Sequence, residues 1–281
     1  MRRWVNPLRP RRHGIQTGKN NFLLSKMPNP RWTHDRKLAK NQLGVVGVDE
    51  AGRGCLAGPV VAGAVIIQSP FFGEAKNRKS TQEINDSKQF DEAKREMLYS
   101  QVMDLIEAKQ IFAATGQASV DEIEEHNIVG ATCLAMRRAM DQASQLSNGL
   151  WKPVEKSSLE LFNQSEKSDM NWIILVDGRS MKKLPYEHEG LIKGDTKSLS
   201  IAMASLLAKV TRDRFMRDLH QQFPDFGFDS NKGYGAPVHL KALEKHGPTE
   251  HHRPRFLRNL LSGNSDESTP PEEEQTQLSF Q

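Results

Sequence analysis

Two adjacent carboxylates, Asp49 and Glu50, close the apolar run Leu43–Val48, and Gly52-Arg53-Gly54 follows at once. Charge beside a hydrophobic segment is costly unless something compensates it. Glycines at 52 and 54 let backbone N–H groups approach a ligand, and Arg53 supplies a permanent cation. Neighbouring strand residues point to opposite faces, so the two acids can share one ion only where the strand gives way to the turn. No Gly-Lys-Ser/Thr follows at phosphate-loop spacing, which excludes a nucleotide-binding loop of that kind. A solvated surface turn would account for an Asp-Glu pair alone. The apolar run before it and the glycines after it favour a site.

Two further acids repeat the theme. Asp177 ends the apolar run Trp172–Val176 and is followed by Gly178, and Asp195 sits in Lys193-Gly194-Asp195-Thr196-Lys197. Either could serve as a helix cap or turn former. Acids at strand ends and helix starts of an α/β domain converge at one sheet edge, where like charges raise one another's pKa. Hard divalent cations with oxygen ligands, Mg2+ or Mn2+, relieve that repulsion, and such clusters serve displacement at phosphorus. The chemistry points to a nuclease or a phosphotransferase.

Elements able to position these acids can be read from periodicity. Leu43–Val48 and Val60–Ile67 are β-branched runs joined through glycine-rich residues, so they read as adjacent strands. Ile111–Thr115 reads as a third strand and Trp172–Val176 as a buried one. Residues 92–108 predict a helix with Ala93, Met97, Met103 and Ile106 on its buried stripe. Asp121–Ser147 predicts a helix that Asn127 and Gly130 would break. From Ser198 to Phe223 a long helix buries Leu199, Met203, Leu206, Leu207 and Val210, with Lys209, Arg212, Asp213 and Arg214 mostly off that stripe. Gly227–Pro237 reads as a loop and Val238–Lys245 as a short helix stopped by Gly247-Pro248. Alternating strands and helices indicate an α/β domain.

The chain has 281 residues, 37% hydrophobic and 26% charged, a balance able to build a core, and no run approaches a bilayer span. Its net +4 is unevenly spread. Residues 1–41 hold eleven Lys or Arg against Asp35 alone, and read as an unstructured basic extension. Residues 42–262, the expected folded domain, hold 28 bases against 29 acids. Residues 263–281 hold five acids and no base, an acidic, unstructured tail. Cys55 and Cys133 are too few for a disulfide scaffold or a Cys-built zinc site, and suit a reducing compartment. No apolar h-region marks a secretory signal, so the cytoplasm is expected, with organellar targeting by the Arg-rich arm as the alternative. A later start at Met27 would remove much of that arm.

Several motifs in order resemble bacterial ribonuclease HII. They are Gly47–Pro59 (GVDEAGRGCLAGP), Asn85–Lys88 (NDSK), Ile174–Gly178 (ILVDG), Lys193–Asp195 (KGD), Ser200–Asp213 (SIAMASLLAKVTRD) and Lys232–Gly235 (KGYG). Asn127–Met140 is similar to the family's central helix, and the likeness runs from about residue 43 to about 257. The resemblance implies a ribonuclease H-like fold: a mixed five-stranded sheet flanked by helices, with a small helical C-terminal part. It implies hydrolysis of RNA in RNA–DNA hybrids and incision 5′ of single ribonucleotides in duplex DNA, leaving 3′-hydroxyl and 5′-phosphate ends. Asp49, Glu50, Asp177 and Asp195 are then the catalytic, metal-holding carboxylates. Gly52, Arg53 and Gly54 read the 2′-hydroxyl, Tyr234 stacks on the neighbouring deoxyribose, and Lys88 contacts phosphate. Asp213, the acid of the helix motif, is read as structural.

The sequence departs from that family in two places. Cys55 stands where proline is usual, and Arg255 replaces a common small polar residue in His252-Arg253-Pro254-Arg255-Phe256. Adjacent His251 and His252 are poorly spaced for one metal and read as structural or solvated. The tail's Gln275, Leu278 and Phe280 resemble the short peptide by which bacterial enzymes dock on the sliding clamp, and the basic arm suits salt-sensitive duplex binding. The competing readings are another metal-dependent nuclease of the same fold and an inactive hybrid-binding module.

Overall fold

The computed structural model describes residues 29–84, 90–155 and 172–261. Lys88, the basic arm up to residue 28 and the tail with Gln275, Leu278 and Phe280 lie outside the described residues. Among those described, no helix is long and apolar enough to cross a membrane.

Five strands form one mixed sheet. They are β1 (Gly44–Ala51), β2 (Val60–Gln68), β3 (Phe112–Ala118), β4 (Trp172–Asp177) and β5 (Glu189–Leu191), in the order β3-β2-β1-β4-β5. β1 is antiparallel to β2 and parallel to β4, so it is the centre of the sheet. Alternation along β1 and β2 sends side chains to two separate cores. Val45, Val65 and Ile67 join the core under one set of helices, while Val46, Val48, Val60, Ala62, Ala64 and Ile66 join the other.

Helices cover both faces. In chain order they are α1 (Pro30–Leu38), α2 (Ala75–Ser80), α3 (Glu92–Glu107), α4 (Val120–Leu146), α5 (Gly194–Lys197), α6 (Leu199–Gln222), α7 (Phe228–Asn231), α8 (Pro237–His246) and α9 (Pro254–Leu261). A capping box between Ser119 and Glu122 starts α4. The expected break is at Asn127 (φ 56°, ψ 171°), whose side chain accepts N–H bonds from Val129 and Gly130 and restarts the helix. α6 lies so close to the sheet that a Cβ on Gly47 would come 2.2 Å from the Ser200 carbonyl carbon, and one on Gly63 2.4 Å from the Ala204 oxygen. Residues 199–208 are therefore buried all round rather than along a stripe. A smaller core of Ala57, Met216, Leu219, Phe226, Phe228 and Ala242 forms the helical C-terminal part.

Three expectations need correction. The basic extension does not run to residue 41, because Asn29–Asn41 is ordered. Pro30 starts α1, Asn29 caps it, and Trp32, 2% exposed, packs against Phe71 and Phe72. High charge hid one anchoring tryptophan. On α3 the buried residues are Leu98, Val102 and Leu105, whereas Met97 and Met103 are 41% and 40% exposed. Arg212, expected off the buried stripe, is buried, and so is Asp213, as its structural reading requires. Trp32→Ala should cost about 3–5 kcal/mol of unfolding free energy by urea denaturation; an unchanged midpoint would detach α1 from the core.

Candidate active site at the β1–β4 edge

The register pairs Val48 with Val176, so Asp49 and Asp177 follow side by side on parallel strands. β1 continues to Ala51, so Asp49 and Glu50 lie in its last three residues, where the Glu50 carboxyl is close enough to act on Asp49. Asp49 points to the α6 face, is 3% exposed, and accepts hydrogen bonds from the Glu50 N–H (2.7 Å) and the Ser205 hydroxyl. Burial, then the nearby Glu50 and Asp177 carboxylates, push its pKa well above the usual range. Glu50 is drawn toward the turn by Arg53, 3.0 Å away.

The third and fourth acids are joined through the backbone. An oxygen of Asp177 accepts the Gly194 N–H at 2.6 Å, and a Cβ on Gly194 would come 3.1 Å from that oxygen. Lys193 adopts a left-handed conformation (φ 55°), which turns the chain so that α5 starts against β4, with Asp195 buried next to it. Glu50 and Asp177 thus approach Asp49 from its own strand and the adjacent strand, while Asp195 follows Gly194, whose N–H Asp177 accepts. Among the described residues, no three His, Cys, Asp or Glu side chains form a ready-made ion cage. Glu50 and Asp177 are engaged by Arg53 and the Gly194 N–H. The donor set itself, hard carboxylate oxygens around a buried carboxyl that needs counter-charge, fits a Mg2+ or Mn2+ class cation.

The Gly52–Pro59 turn beside the acids is held from beneath by two buried guanidiniums. Arg212 donates to the carbonyls of Ala57 (3.0 Å), Pro59 (3.0 Å) and Lys232 (2.8 Å). Arg253 donates to those of Gly52 (2.8 Å), Arg53 (3.0 Å) and Gly58 (2.8 Å), and burial pulls its pKa down to about 10. In a trans peptide, C=O and N–H point in opposite directions. With the Gly52 and Arg53 carbonyls turned inward, the N–H groups of Arg53 and Gly54 face away from Arg253. Gly52 has φ +94°, and a Cβ there would strike Arg212 Nε at 2.0 Å. A Cβ on Gly54 would meet only the Tyr234 ring, at 4.0 Å, so the tyrosine, 48% exposed, borders the open side of the turn.

Tyr234 is itself secured by a histidine pair. Its carbonyl accepts the Nδ1–H of His239 (2.8 Å), whose Nε2 then accepts from His252 Nε2 (2.9 Å); His252 Nδ1 accepts the Thr249 N–H (2.9 Å). These partners fix both tautomers as neutral. Burial, then His239, lower the His252 pKa to about 4. The structural reading of His252 holds, and its partner His239 is a residue that sequence reasoning missed. Ser205 and Arg212 were legible in principle: Ser205, Ala208 and Arg212 follow at helical spacing on the face of α6 that meets the sheet and turn.

The sequence model of the family described as Ribonuclease HII matches residues 46–259. The chain belongs to the ribonuclease HII family. Ribonuclease HII of Fusobacterium nucleatum subsp. nucleatum is 41% identical over 237 residues, covering 84% of this chain and 94% of that protein. Ribonuclease H2 of Pyrococcus horikoshii OT3 superposes with a TM-score of 0.50 at 25% identity, over 78% of this chain and 97% of that one. Bst-RNase HIII in complex with Mn2+ shares the fold, with a TM-score of 0.52 at 16% identity over 81% and 73%. As a ribonuclease HII family member the chain is a ribonuclease H endonuclease, a hydrolase of RNA–DNA hybrids, and the mixed sheet expected from its motifs is the sheet observed.

For His252, a folded pKa below the unfolded value means stability present above about pH 6.5 and lost as pH falls through about 4. The stability advantage of the native chain over His252→Phe should therefore shrink on acidification across that window, as measured by urea denaturation at a series of pH values. An advantage that grows instead would contradict the neutral pair.

Proposed function

We propose that the ribonuclease H activity resides at the β1–β4 edge. Asp49, Glu50, Asp177 and Asp195 hold divalent cations there, and the enzyme incises 5′ of single ribonucleotides in duplex DNA as well as within hybrids. The observation that carries this reading is Asp49, buried beside two other carboxyls and so in need of positive charge to ionise. Bound there, Mg2+ or Mn2+ would activate a water and neutralise the scissile phosphate, consistent with 3′-hydroxyl and 5′-phosphate ends.

The chain's own residues supply orientation and selectivity. Peptide N–H groups of the Gly52-Arg53-Gly54 turn, held outward by Arg253, suit recognition of a 2′-hydroxyl, the group that distinguishes RNA from DNA. The Tyr234 ring beside Gly54 suits stacking on the adjoining deoxyribose, and Lys88 is assigned to phosphate. Two buried thiols, Cys55 and Cys133, accord with a cytoplasmic setting. Gln275, Leu278 and Phe280 are assigned to docking on a sliding clamp, which deletion of residues 275–281 would weaken in a direct titration.

The test is cleavage of duplex DNA carrying one ribonucleotide beside an all-DNA duplex, with Mg2+ or Mn2+. Cutting only the first, on the 5′ side of the ribonucleotide, is expected; equal cutting of both would point to a nuclease of the same fold without sugar selectivity. Asp49→Asn should abolish cutting yet raise the melting temperature of the metal-free protein at neutral pH. An acid whose pKa is raised by folding destabilises when ionised, and each kcal/mol relieved is worth about 2–4 °C for a domain of this size. A lower melting temperature would refute the crowding of charge at Asp49.

A further inference from the structure

The catalytic reading leaves α1 unexplained, although it places two buried charged side chains against the segment that carries Asp195. Arg31 Nε donates to the main-chain carbonyl of Asp195 at 2.8 Å. Four residues along, Asp35 is fully buried, and its Oδ2 accepts the Ser200 N–H (2.8 Å) and the Ser198 hydroxyl (3.1 Å). Ser198 is the N-cap of α6, and its own N–H donates to the Gly194 carbonyl at 2.7 Å. A carboxylate at a helix N-terminus is also favoured by the helix dipole.

α1 is anchored independently of the acids. Asn29 Nδ2 donates to the carbonyls of Thr81 (3.2 Å) and Ile84 (2.9 Å), and Trp32 packs with Phe71 and Phe72 at centroid distances of 5.3 and 5.1 Å. The helix thus transmits the position of the hydrophobic core to both ends of α5. Arg31 fixes the front of the turn at Asp195, Asp35 fixes the back at Ser198 and Ser200, and Asp177 meets its first residue, Gly194, from the sheet.

We propose that Arg31 and Asp35 are positioning residues that hold the Asp195 turn in register with Asp49 and Asp177. The proposal rests on the reading of Asp195 as a member of the metal-holding set. It assigns a catalytic consequence to a segment whose composition resembles a loose basic arm. Neither residue touches substrate; both act through the backbone that presents Asp195.

The experiment compares Arg31→Ala, Arg31→Lys, Asp35→Asn, Asp195→Asn and the exposed α1 control Arg36→Ala, each in the full chain. Three quantities are read: kcat and KM on ribonucleotide-containing duplex, Mn2+ affinity of the protein alone by calorimetry, and the urea unfolding midpoint. Arg31→Ala is expected to lower kcat about 10- to 100-fold with KM unchanged and to weaken Mn2+ binding, the scale set by misplacing a group by about 1 Å. Arg31→Lys, which keeps a donor, recovers part of both, and Arg36→Ala changes neither. Should Arg31→Ala fail to fold, the near-isosteric Asp35→Asn is the decisive variant, with the same expected loss. If Asp195→Asn abolishes cutting while the folded Arg31 and Asp35 variants cut and bind Mn2+ as the native chain does, positioning by α1 is overturned and the site stands. If Asp195→Asn itself cuts normally, the site reading falls, and the proposal with it.

Discussion

The repulsion between carboxyls at the ends of two parallel strands is the constraint around which this molecule is organised. β1 and β4 deliver Asp49 and Asp177 side by side, with Glu50 next in sequence, and burial removes the water that would screen them. Such a cluster cannot hold itself in place. It is held by groups with other duties in the fold: the Ser205 hydroxyl of α6, the Glu50 and Gly194 N–H groups, and Arg53. The side-chain-free positions Gly47 and Gly63 let α6 descend onto the sheet, and that close approach brings Ser205 within reach of Asp49. Two apolar cores, one on each sheet face, supply the stability that an uncompensated acidic edge consumes.

Next to the acids, the turn is ordered by the opposite charge. Arg212 and Arg253 enter from α6 and from the start of α9, and each satisfies several main-chain carbonyls of the turn or its neighbours. A planar guanidinium with five donors suits this task better than an ammonium. These cations lie behind the turn, and their effect is to orient peptides. Burial and the neighbouring Cys55 raise the Tyr234 pKa, so its hydroxyl stays protonated. Cys55 is thus part of the wall behind the tyrosine.

The sequence made the acids legible because each closes an apolar run or opens a helix, and those patterns depend only on nearby residues. Strands β1 to β4 and the break at Asn127 were legible for the same reason. What escaped notice depends on distant partners. Asp35 looked like the lone acid of a basic arm, yet it caps a helix more than 160 residues away. Nothing local reveals that carbonyls from the Gly52–Pro59 turn will surround Arg253. β5 is only three residues long, with Glu189 and Gly190 exposed and Leu191 half-buried, and gives no periodic signal. On α3, the methionines fell at plausible spacing, but the adjacent row of Leu98, Val102 and Leu105 faces the core.

The hydrogen bond from Arg253 to Gly52 spans 201 positions of the chain. Synthesis proceeds in one direction, so the first three strands and α4 can assemble while Asp177 has yet to be made. The acids can then gather once α5 has emerged, but the turn beside them still lacks the guanidinium that orients its peptides. A ribosome must extrude residue 253 before those peptides are held in place. Nascent chains therefore acquire their acidic edge before the turn beside it is set, and that turn is completed only by the last helical segment to arrive.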